Sequence, residues 1–325
     1  MTDKICVAIA SHISTSHRID YLIECLDSLA KQTTAITIYL SISFENDELY
    51  ENFVSKVSGI QFQTKPVIKV LNQKTAQMRH YSLLQEDIQS GGHEWILFCD
   101  DDDTYQPTRV EMFLRTIELA QIECSALSDK KLAGIYESTF GKMHQEHRHE
   151  YWCYCISAEI YYRFFNKIDA HPEIIDNKCC DIVFAEYFRR MGDPYVFGRI
   201  TDPLYNYRVE NNGDSITGVI QYRQKTEVRR ANPPPYMAGE EPCDNPALQT
   251  YVEELNKYVN ENMSVYLHDT YLRSVVGVDF DLILQKEFTL DYPLLAYVDY
   301  KYIQTLKEYW EYLRTRCNEI YDIKF

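Results

Sequence analysis

The 325-residue sequence lacks the features of secreted, membrane-spanning and nucleic-acid-binding proteins. Its first residues show no basic stretch followed by a long apolar region, so no signal peptide is predicted. No run approaches the roughly 18 consecutive apolar residues of a transmembrane helix. With 33 basic and 49 acidic residues, the net charge of −16 argues against binding nucleic-acid phosphates or an anionic membrane surface. We expect a cytoplasmic protein in which any anionic ligand needs local cations or a metal.

The cysteines show none of the patterns of disulfide frameworks or zinc sites. The ten cysteines include no CxxC pair and lie mostly in apolar runs, where buried free thiols are common, so a reducing compartment is expected. His144, His147 and His149 precede Cys153 and Cys155, but their spacing matches no standard Cys/His zinc frame. A loop is the favoured interpretation of the histidine segment, and zinc is the alternative.

The first third of the sequence alternates apolar runs with amphipathic segments. The predicted strands are Lys4–Ala10, Ala35–Ser43, Val67–Leu71 and Trp95–Cys99, and the predicted helices are Ile19–Lys31, Glu48–Val57 and Ala76–Ile88. This alternation predicts an α/β fold with a mixed, mainly parallel sheet flanked by helices. Ligands of such sheets bind beyond the carboxyl ends of the strands.

The rest of the sequence predicts further strands and helices and then a change of character. One helix is predicted from after Pro107 to about Ile122, and another over Cys180–Met191. The further predicted strands are Leu132–Ser138, Tyr151–Ser157, Tyr195–Ile200 and Leu204–Val209. Five prolines lie between residues 231 and 246, which predicts a linker or wrapping loop. Ala247–Tyr266 and Leu294–Tyr321 have helical patterns. We predict a domain over residues 1–217, a linker over 218–246 and a helical C-terminal extension over 247–325.

Four consecutive aspartates, Asp100–Asp103, follow the apolar strand Trp95–Cys99. Four like charges repel one another unless a positive group lies among them, and a divalent metal is the simplest partner. A solvated acidic loop is the alternative, although it does not explain why the charges adjoin so apolar a strand. A calcium loop is disfavoured because Tyr105 stands where the sharp turn needs glycine and Pro107 lies within the loop. The polar segment Ser11–Ser16, after the first strand, is predicted to line the same crevice.

Four segments of the chain share a pattern with a known family. They are WILFCDDDDTYQP at 95–107, ICVAIASH with YLIECLDSLAKQT at 5–12 and 21–33, TAQMRH at 75–80, and DPLYNYRV with DSIT at 202–209 and 214–217. In this order and spacing they resemble the motifs of family 2 glycosyltransferases, whose fold is GT-A (Rossmann-like). The resemblance covers about residues 4–217 and does not extend to the C-terminal third.

The resemblance implies a donor site for a nucleoside-diphosphate sugar, with a UDP-sugar favoured. Asp102, with Asp100 in a DxD motif, would bind Mn²⁺ or Mg²⁺, which neutralises the leaving diphosphate as a Lewis acid. The donor-side residues that the resemblance implies are Ala10, Ser11, His12, Ser43, Glu45, Arg79, Asp100 and Asp101. Ser43 and Glu45 stand where the family usually has an aspartate pair. A helix-surface charge is the alternative for Arg79.

The resemblance also implies a general base and a third metal ligand. Asp181 matches the family's base, which takes the proton from an acceptor hydroxyl, and a helix N-cap is the compatible alternative. Glu210 stands near the place of a metal-binding histidine, and its oxygens suit Mg²⁺ or Mn²⁺. An exposed loop acid is the alternative for Glu210.

Together these features predict an inverting, metal-dependent glycosyltransferase acting on a glycan or other acceptor. A catalytically silent GT-A domain that binds glycan or protein is the first alternative, because the aspartate pair and the histidine are replaced. A nucleotide-sugar hydrolase or nucleotidyltransferase is disfavoured because Ser11–Ser16 contains neither glycine nor lysine. The pattern specifies neither the sugar nor the acceptor, and it leaves the oligomeric state open.

Overall fold

The computed structural model describes residues 4–127, 129–138, 150–208, 241–254, 256–257 and 300–321. The chain divides into two compact units, Met1–Val209 and Glu210–Phe325. The segments that resemble the glycosyltransferase motifs belong to the first unit as far as residue 209, whereas residues 214–217 belong to the second.

A seven-stranded sheet forms the centre of the first unit, with the strand order β3-β2-β1-β4-β7-β6-β8. Its strands are β1 (Ile5–Ile13), β2 (Thr37–Phe44), β3 (Val67–Leu71), β4 (Trp95–Asp100), β6 (Lys131–Glu137), β7 (Tyr154–Ser157) and β8 (Tyr195–Ile200). β7 pairs antiparallel with β4 and β6, and the other pairs in this sheet are parallel. The first four strands therefore end at one edge. The short strands β5 (Thr104–Tyr105) and β9 (Tyr205–Asn206) pair as a ribbon.

Helices flank the sheet because their apolar residues repeat at helical spacing. In α1, Leu22, Cys25, Leu26 and Leu29 are buried, which is the spacing expected of a helix with one face on the core. The helices of the first unit are α1 (Ser16–Ala30), α2 (Asp47–Val57), α3 (Gln77–Leu83), α4 (Gln85–Ser90), α5 (Arg109–Ser125), α6 (Ala158–Ile168), α7 (Pro172–Ile175) and α8 (Cys180–Arg189). The mixed, mainly parallel sheet flanked by helices confirms the predicted GT-A fold class.

Several predicted boundaries are wrong. β1 continues to Ile13 because it pairs with β2 as far as Phe44, so Ser11 and His12 lie in a strand and not in a turn. The predicted helix over residues 76–88 is divided into α3 and α4. The predicted strand from Tyr151 begins with a 3₁₀ turn, Tyr151–Cys153, and becomes extended only at Tyr154.

In the second unit, the structure describes a 3₁₀ turn at Pro242–Asp244, a helical segment at 246–254 and a long helix, α10 (Tyr300–Tyr321). We number the segment at 246–254 as α9. α10 confirms that the C-terminal extension contains helix. None of the helices among the described residues has the length and apolar composition needed to cross a membrane.

Candidate functional site

The carboxyl ends of β1, β2 and β4 bring the predicted donor-side residues to one edge of the sheet. Ala10 is in register with both Ser41 on β2 and Asp100 on β4, and His12 is in register with Ser43. Neighbouring strands lie about 4.8 Å apart, so these residues share a small area. The clustering agrees with the rule that ligands bind beyond the carboxyl ends of parallel strands.

Asp101 has both carboxylate oxygens bound inside the protein. The hydroxyl of Ser11 donates to Oδ2 at 2.6 Å, and Nη2 of Arg18 donates to Oδ1. Asp101 is 7% exposed. Burial raises the pKa of Asp101, whereas the charge of Arg18 lowers it. The carboxylate of Asp101 is therefore held in place by contacts within the protein.

Asp102 is more accessible than Asp101, its neighbour in the aspartate run. Its side chain is 25% exposed, against 9% for Asp101, and Nη1 of Arg18 lies 3.0 Å from Oδ2. The backbone carbonyl of Asp102 accepts a hydrogen bond of 2.7 Å from Nε of Arg208. The backbone is thus held in place while part of the side chain stays exposed to solvent.

Asp100 is bound on its side chain by two neutral donors. The hydroxyl of Tyr151 and Nε2 of Gln77, the latter at 2.9 Å, both donate to Oδ1. Burial, and then the charges of Asp103 and Asp102, raise the pKa of Asp100 well above its ordinary value. Neutral donors suit a carboxyl group that is partly desolvated and crowded by like charges.

Asp103 is a buried anchor of the aspartate run. It is 1% exposed and accepts from the hydroxyl of Tyr205 at 2.8 Å and the backbone N–H of Arg208 at 2.7 Å. Burial raises its pKa to about 7. Because the Tyr205 hydroxyl also accepts from the backbone N–H of Asp100, at 3.0 Å, residues 205–208 fix the aspartate run.

His12, Ser43 and Glu45 form a connected polar group at the ends of β1 and β2. Nδ1 of His12 lies 2.9 Å from Oγ of Ser43, and Nε2 lies 3.3 Å from a carboxylate oxygen of Glu45. The Glu45 side chain is 58% exposed, whereas Ser43 is buried. The structure therefore brings together these three predicted residues, with Glu45 at the solvent side.

Arg79 lies in α3 and contacts acidic residues outside the aspartate run. Its guanidinium donates twice to Asp176, at 2.9 and 3.0 Å, and once to Asp169 at 3.3 Å. These contacts join α3 to the segment before α8. In this arrangement Arg79 stabilises the packing of two elements, and its role at a donor stays a prediction.

Asp181 lies in the first turn of α8, whose N-cap position is Cys179. The helix-cap alternative for Asp181 is therefore wrong. One turn further along α8, the ring of Phe184 packs on Phe98 of β4 and on Tyr151, with centroids 5.2 and 6.0 Å apart. α8 thus packs on the strand that ends in the aspartates and on the tyrosine that binds Asp100.

Several predicted residues lie outside the described part of the chain. They are Glu210, the histidines at 144, 147 and 149, and most of the loop before Tyr151. Cys153 and Cys155 are described, and both are buried cysteines outside any disulfide bond. The predicted roles of the undescribed residues stay predictions.

The carboxylates at the end of β4 suit a hard divalent cation. Asp101 and Asp102 already hold a positive group, Arg18, and Asp102 is the more exposed of the two. Across the described residues, no group of three or more His, Cys, Asp or Glu side chains is arranged to hold a metal. A metal held by Asp102 would take its further ligands from a diphosphate, from water or from residues outside the described part of the chain, such as Glu210.

Four residues of this site were missed by the sequence reasoning: Arg18, Gln77, Tyr151 and Tyr205. Gln77 and Tyr205 lie inside the matched motifs, at positions to which no role was assigned. Arg18 lies near the start of an amphipathic helix that follows the first strand. The only signal in the sequence was its positive charge, which is opposite to that of the four aspartates. Tyr151 begins a predicted strand, and its local sequence carries no signal for a contact with Asp100.

The sheet order and the flanking helices define an α/β protein of GT-A type. The model of the family "Glycosyl transferase family 2" matches residues 11–192, more than half of the sequence. The chain belongs to this family of glycosyltransferases. A search of curated proteins finds no match.

Solved structures of TarS from S. aureus are similar to this chain at 12–14% identity, with TM-scores of 0.36–0.40, and each alignment covers 97% of the chain. The chain spans 54% of the longer TarS structure and 89% of TarS 1-349. TarS 1-349 has been solved with UDP and with UDP-GlcNAc. TM-scores this low leave the correspondence of individual residues undefined.

Proposed function

We propose that the chain is a metal-dependent, inverting glycosyltransferase that moves a sugar from a nucleoside-diphosphate sugar to a hydroxyl of a glycan or other acceptor. A UDP-sugar is the favoured donor, with Mn²⁺ or Mg²⁺ as cofactor. The observation that supports this most is the meeting of Ser11, His12, Ser43 and the aspartate run at one edge of the sheet, in a chain of glycosyltransferase family 2.

On the donor side, Ala10, Ser11, His12, Ser43 and Glu45 bind the nucleobase and ribose. The hydroxyl, imidazole and carboxylate groups among them offer both donors and acceptors to a nucleoside. Asp100 and Asp101 lie beside the ribose, and Arg79 supports α3.

Asp102, with Asp100 and Glu210, would hold the metal beside the diphosphate of the donor. A divalent ion bound there supplies positive charge that stabilises the departing diphosphate.

On the acceptor side, Asp181 is the general base. It accepts the proton of the acceptor hydroxyl as that oxygen attacks the anomeric carbon, and the bond from this carbon to the diphosphate breaks. A single displacement inverts the configuration of that carbon. The first turn of α8 suits an ionised carboxylate because the positive end of the helix dipole stabilises negative charge.

Release of nucleoside diphosphate tests this proposal. The protein is incubated with Mn²⁺ and a panel of UDP-, GDP- and dTDP-sugars, with and without candidate acceptors. We expect acceptor-dependent release that is lost in Asp102→Ala and in Asp181→Ala, with donor binding kept in the latter. General-base catalysis contributes about 10²–10⁴-fold, so the Asp181→Ala rate should fall by that order. Full activity in Asp181→Ala would exclude it as the base.

A catalytically silent domain that binds glycan or protein is the second candidate. It is favoured by one observation, namely that Arg18 contacts the aspartate proposed to bind metal. Such a domain binds ligands in the panel without releasing diphosphate, and Asp181→Ala leaves its binding unchanged. Acceptor-independent release would instead indicate a hydrolase.

A further inference from the structure

Arg18 lies among the aspartates where a metal was expected from the sequence. It is the third residue of α1, and its guanidinium divides its contacts between two carboxylates. Nη2 donates to Asp101, and Nη1 lies 3.0 Å from Asp102. The Arg18 side chain is 15% exposed. The repulsion expected within the aspartate run is thus relieved in part by a residue of the chain itself.

We propose that Arg18 is an exchangeable counter-cation: it holds Asp102 while the site is free of ligand, and it transfers Nη1 to a diphosphate oxygen when nucleotide and metal bind. This inference rests on the proposed function, because it concerns the same diphosphate. It assigns to Arg18 two roles, competitor of the bare metal and ligand of the nucleotide.

The two contacts of Arg18 differ in a way that permits such an exchange. Asp101 is nearly buried, and its other oxygen is held by Ser11 at 2.6 Å, so the Arg18–Asp101 contact is an anchor. The Asp102 side chain is 25% exposed and its carboxylate accepts no second hydrogen bond from the described residues, so a ligand can reach the Arg18–Asp102 contact more easily than the contact with Asp101. Nη1 can therefore leave Asp102 while Nη2 stays on Asp101.

The chemistry of the guanidinium group suits the proposed contact of Arg18 with a diphosphate. Its planar array of N–H donors matches phosphate oxygens, and it remains charged at every physiological pH. The charges of Asp101 and Asp102 outweigh burial and raise the pKa of Arg18 further. A diphosphate bound over Asp102 offers Nη1 new acceptors within the reach of a small side-chain movement.

Competition for Asp102 predicts opposite effects on two ligands. A bare divalent ion and Nη1 compete for the carboxylate of Asp102, so the ion displaces Nη1 while Nη2 stays on Asp101. When a diphosphate is present, the displaced guanidinium gains a partner. Metal and nucleotide are therefore expected to bind with positive coupling that depends on Arg18.

Binding measurements on Arg18→Gln test the proposal without any turnover. Mn²⁺ alone is titrated by the electron paramagnetic resonance signal of the free ion, and UDP is titrated by calorimetry at saturating Mn²⁺. We expect Mn²⁺ alone to bind roughly fivefold to tenfold tighter than in the wild type, and UDP to bind roughly tenfold weaker. Mn²⁺ affinity that is unchanged or lower in Arg18→Gln would overturn the proposal.

Two further variants complete the experiment. Arg163→Gln removes a part-buried arginine that donates to the hydroxyl of Tyr195 at 3.1 Å, at the start of β8 and hence at the opposite edge of the sheet, so both affinities should be unchanged. Arg18→Lys keeps the charge without the planar donors, so Mn²⁺ alone should bind as in the wild type and UDP severalfold weaker. If Arg18→Gln does not fold, unchanged UDP affinity in Arg18→Lys refutes the proposal.

Nucleotide binding by the wild-type protein distinguishes a failure of this inference from a failure of the proposed function. Wild-type protein that binds UDP with Mn²⁺ supports the function, and the variants then decide the role of Arg18. If the wild-type protein binds none of UDP, GDP and dTDP in the presence of Mn²⁺, the proposed function is refuted. The role proposed for Arg18 is then refuted as well.

Discussion

At the scale of single residues, His80 is a buried imidazole with one satisfied nitrogen. It is 1% exposed, and Nδ1 lies 2.8 Å from the hydroxyl of Ser41. Nε2 has no hydrogen-bond partner among the residues that the structure describes. Burial, and then the charge of His12, lower the pKa of His80 to about 4. His80 is therefore neutral in the folded protein down to mildly acid pH.

The low pKa of His80 predicts a loss of stability in acid. Between about pH 6.5 and pH 4 the unfolded chain binds a proton at His80 that the folded chain does not bind, so the free energy of unfolding falls as the pH falls. The contribution of His80 to this decrease in the free energy of unfolding is about 2 kcal/mol between pH 8 and pH 5. Urea denaturation at both pH values should show that the decrease is smaller by about this amount in His80→Gln.

His80→Gln also loses the hydrogen bond with Ser41. Because this cost is the same at both pH values, it cancels when the free energies of unfolding at pH 8 and pH 5 are subtracted. His17→Gln, at an exposed position of α1, is the matched control for the removal of an imidazole. An equal decrease in wild type and His80→Gln would show that His80 is not buried as a neutral base.

Arg18 illustrates what sequence reasoning found and missed at this scale. Four adjacent aspartates predict a positive partner, because their mutual repulsion follows from charge alone. Which cation lies there depends on the direction of α1 relative to the end of β4, and this direction is set by packing. The same limit applies to Tyr205, whose hydroxyl meets Asp103 across more than one hundred residues of sequence.

At the scale of elements, a buried ion pair fixes the ribbon strand β9 beneath the aspartates. Arg109 of α5 and Glu137 of β6 are 0% exposed and lie 2.8 Å apart. Glu137 also accepts from the backbone N–H groups of Leu204 and Tyr205, at 2.6 and 3.0 Å, and Arg109 donates to the carbonyl of Trp152. One pair of charges therefore connects α5, β6, β9 and the 3₁₀ turn.

Glu137→Gln should destabilise the protein strongly. The substitution leaves the guanidinium of Arg109 buried without a charged partner, which costs about 3–5 kcal/mol in comparable cases. Urea denaturation at neutral pH measures this loss. The matched control is Glu94→Gln, which breaks the exposed pair with Lys4 and should leave the free energy of unfolding unchanged. A loss no larger than that of the control would contradict the role given to the buried pair.

The elements that the sequence predicted best are those whose signal is local. β1, β2 and β4 are continuous apolar runs, and α1 has clear helical spacing. α6 was missed although Ile160, Tyr161, Phe164, Phe165 and Ile168 are buried at helical spacing, because so aromatic a segment is also typical of strands. The 3₁₀ turn at Tyr151–Cys153 depends on distant contacts, among them that of Tyr151 with Asp100, and has no local signal.

At the scale of the whole molecule, the order of strands could not be read from the sequence. β7 lies between β4 and β6, and β8 pairs with β6, so the second half of the sheet is not built in chain order. Parallel and antiparallel neighbours are both compatible with the apolar patterns of these strands. The family match at residues 11–192 lies within the first unit, which contains this sheet.

The first unit, extended to residue 217, is predicted to fold and bind donor without the second unit. It contains the seven-stranded sheet, the ribbon of β5 and β9, and the residues proposed to bind nucleotide, and residues 210–217 add Glu210. Because small domains with one core unfold cooperatively, the 1–217 fragment should show a single thermal transition and the UDP affinity of the full chain at saturating Mn²⁺.

A second fragment makes this test specific to the fold. Ending the chain at residue 192 keeps the whole family match but removes β8, which pairs with β6, and Tyr205, which binds Asp103. This fragment also leaves the carboxylate of Glu137 without the backbone donors of residues 204 and 205. We expect it to lose the cooperative transition and UDP binding. If the 1–217 fragment also loses both, the donor site requires the second unit, and the predicted domain boundary is wrong.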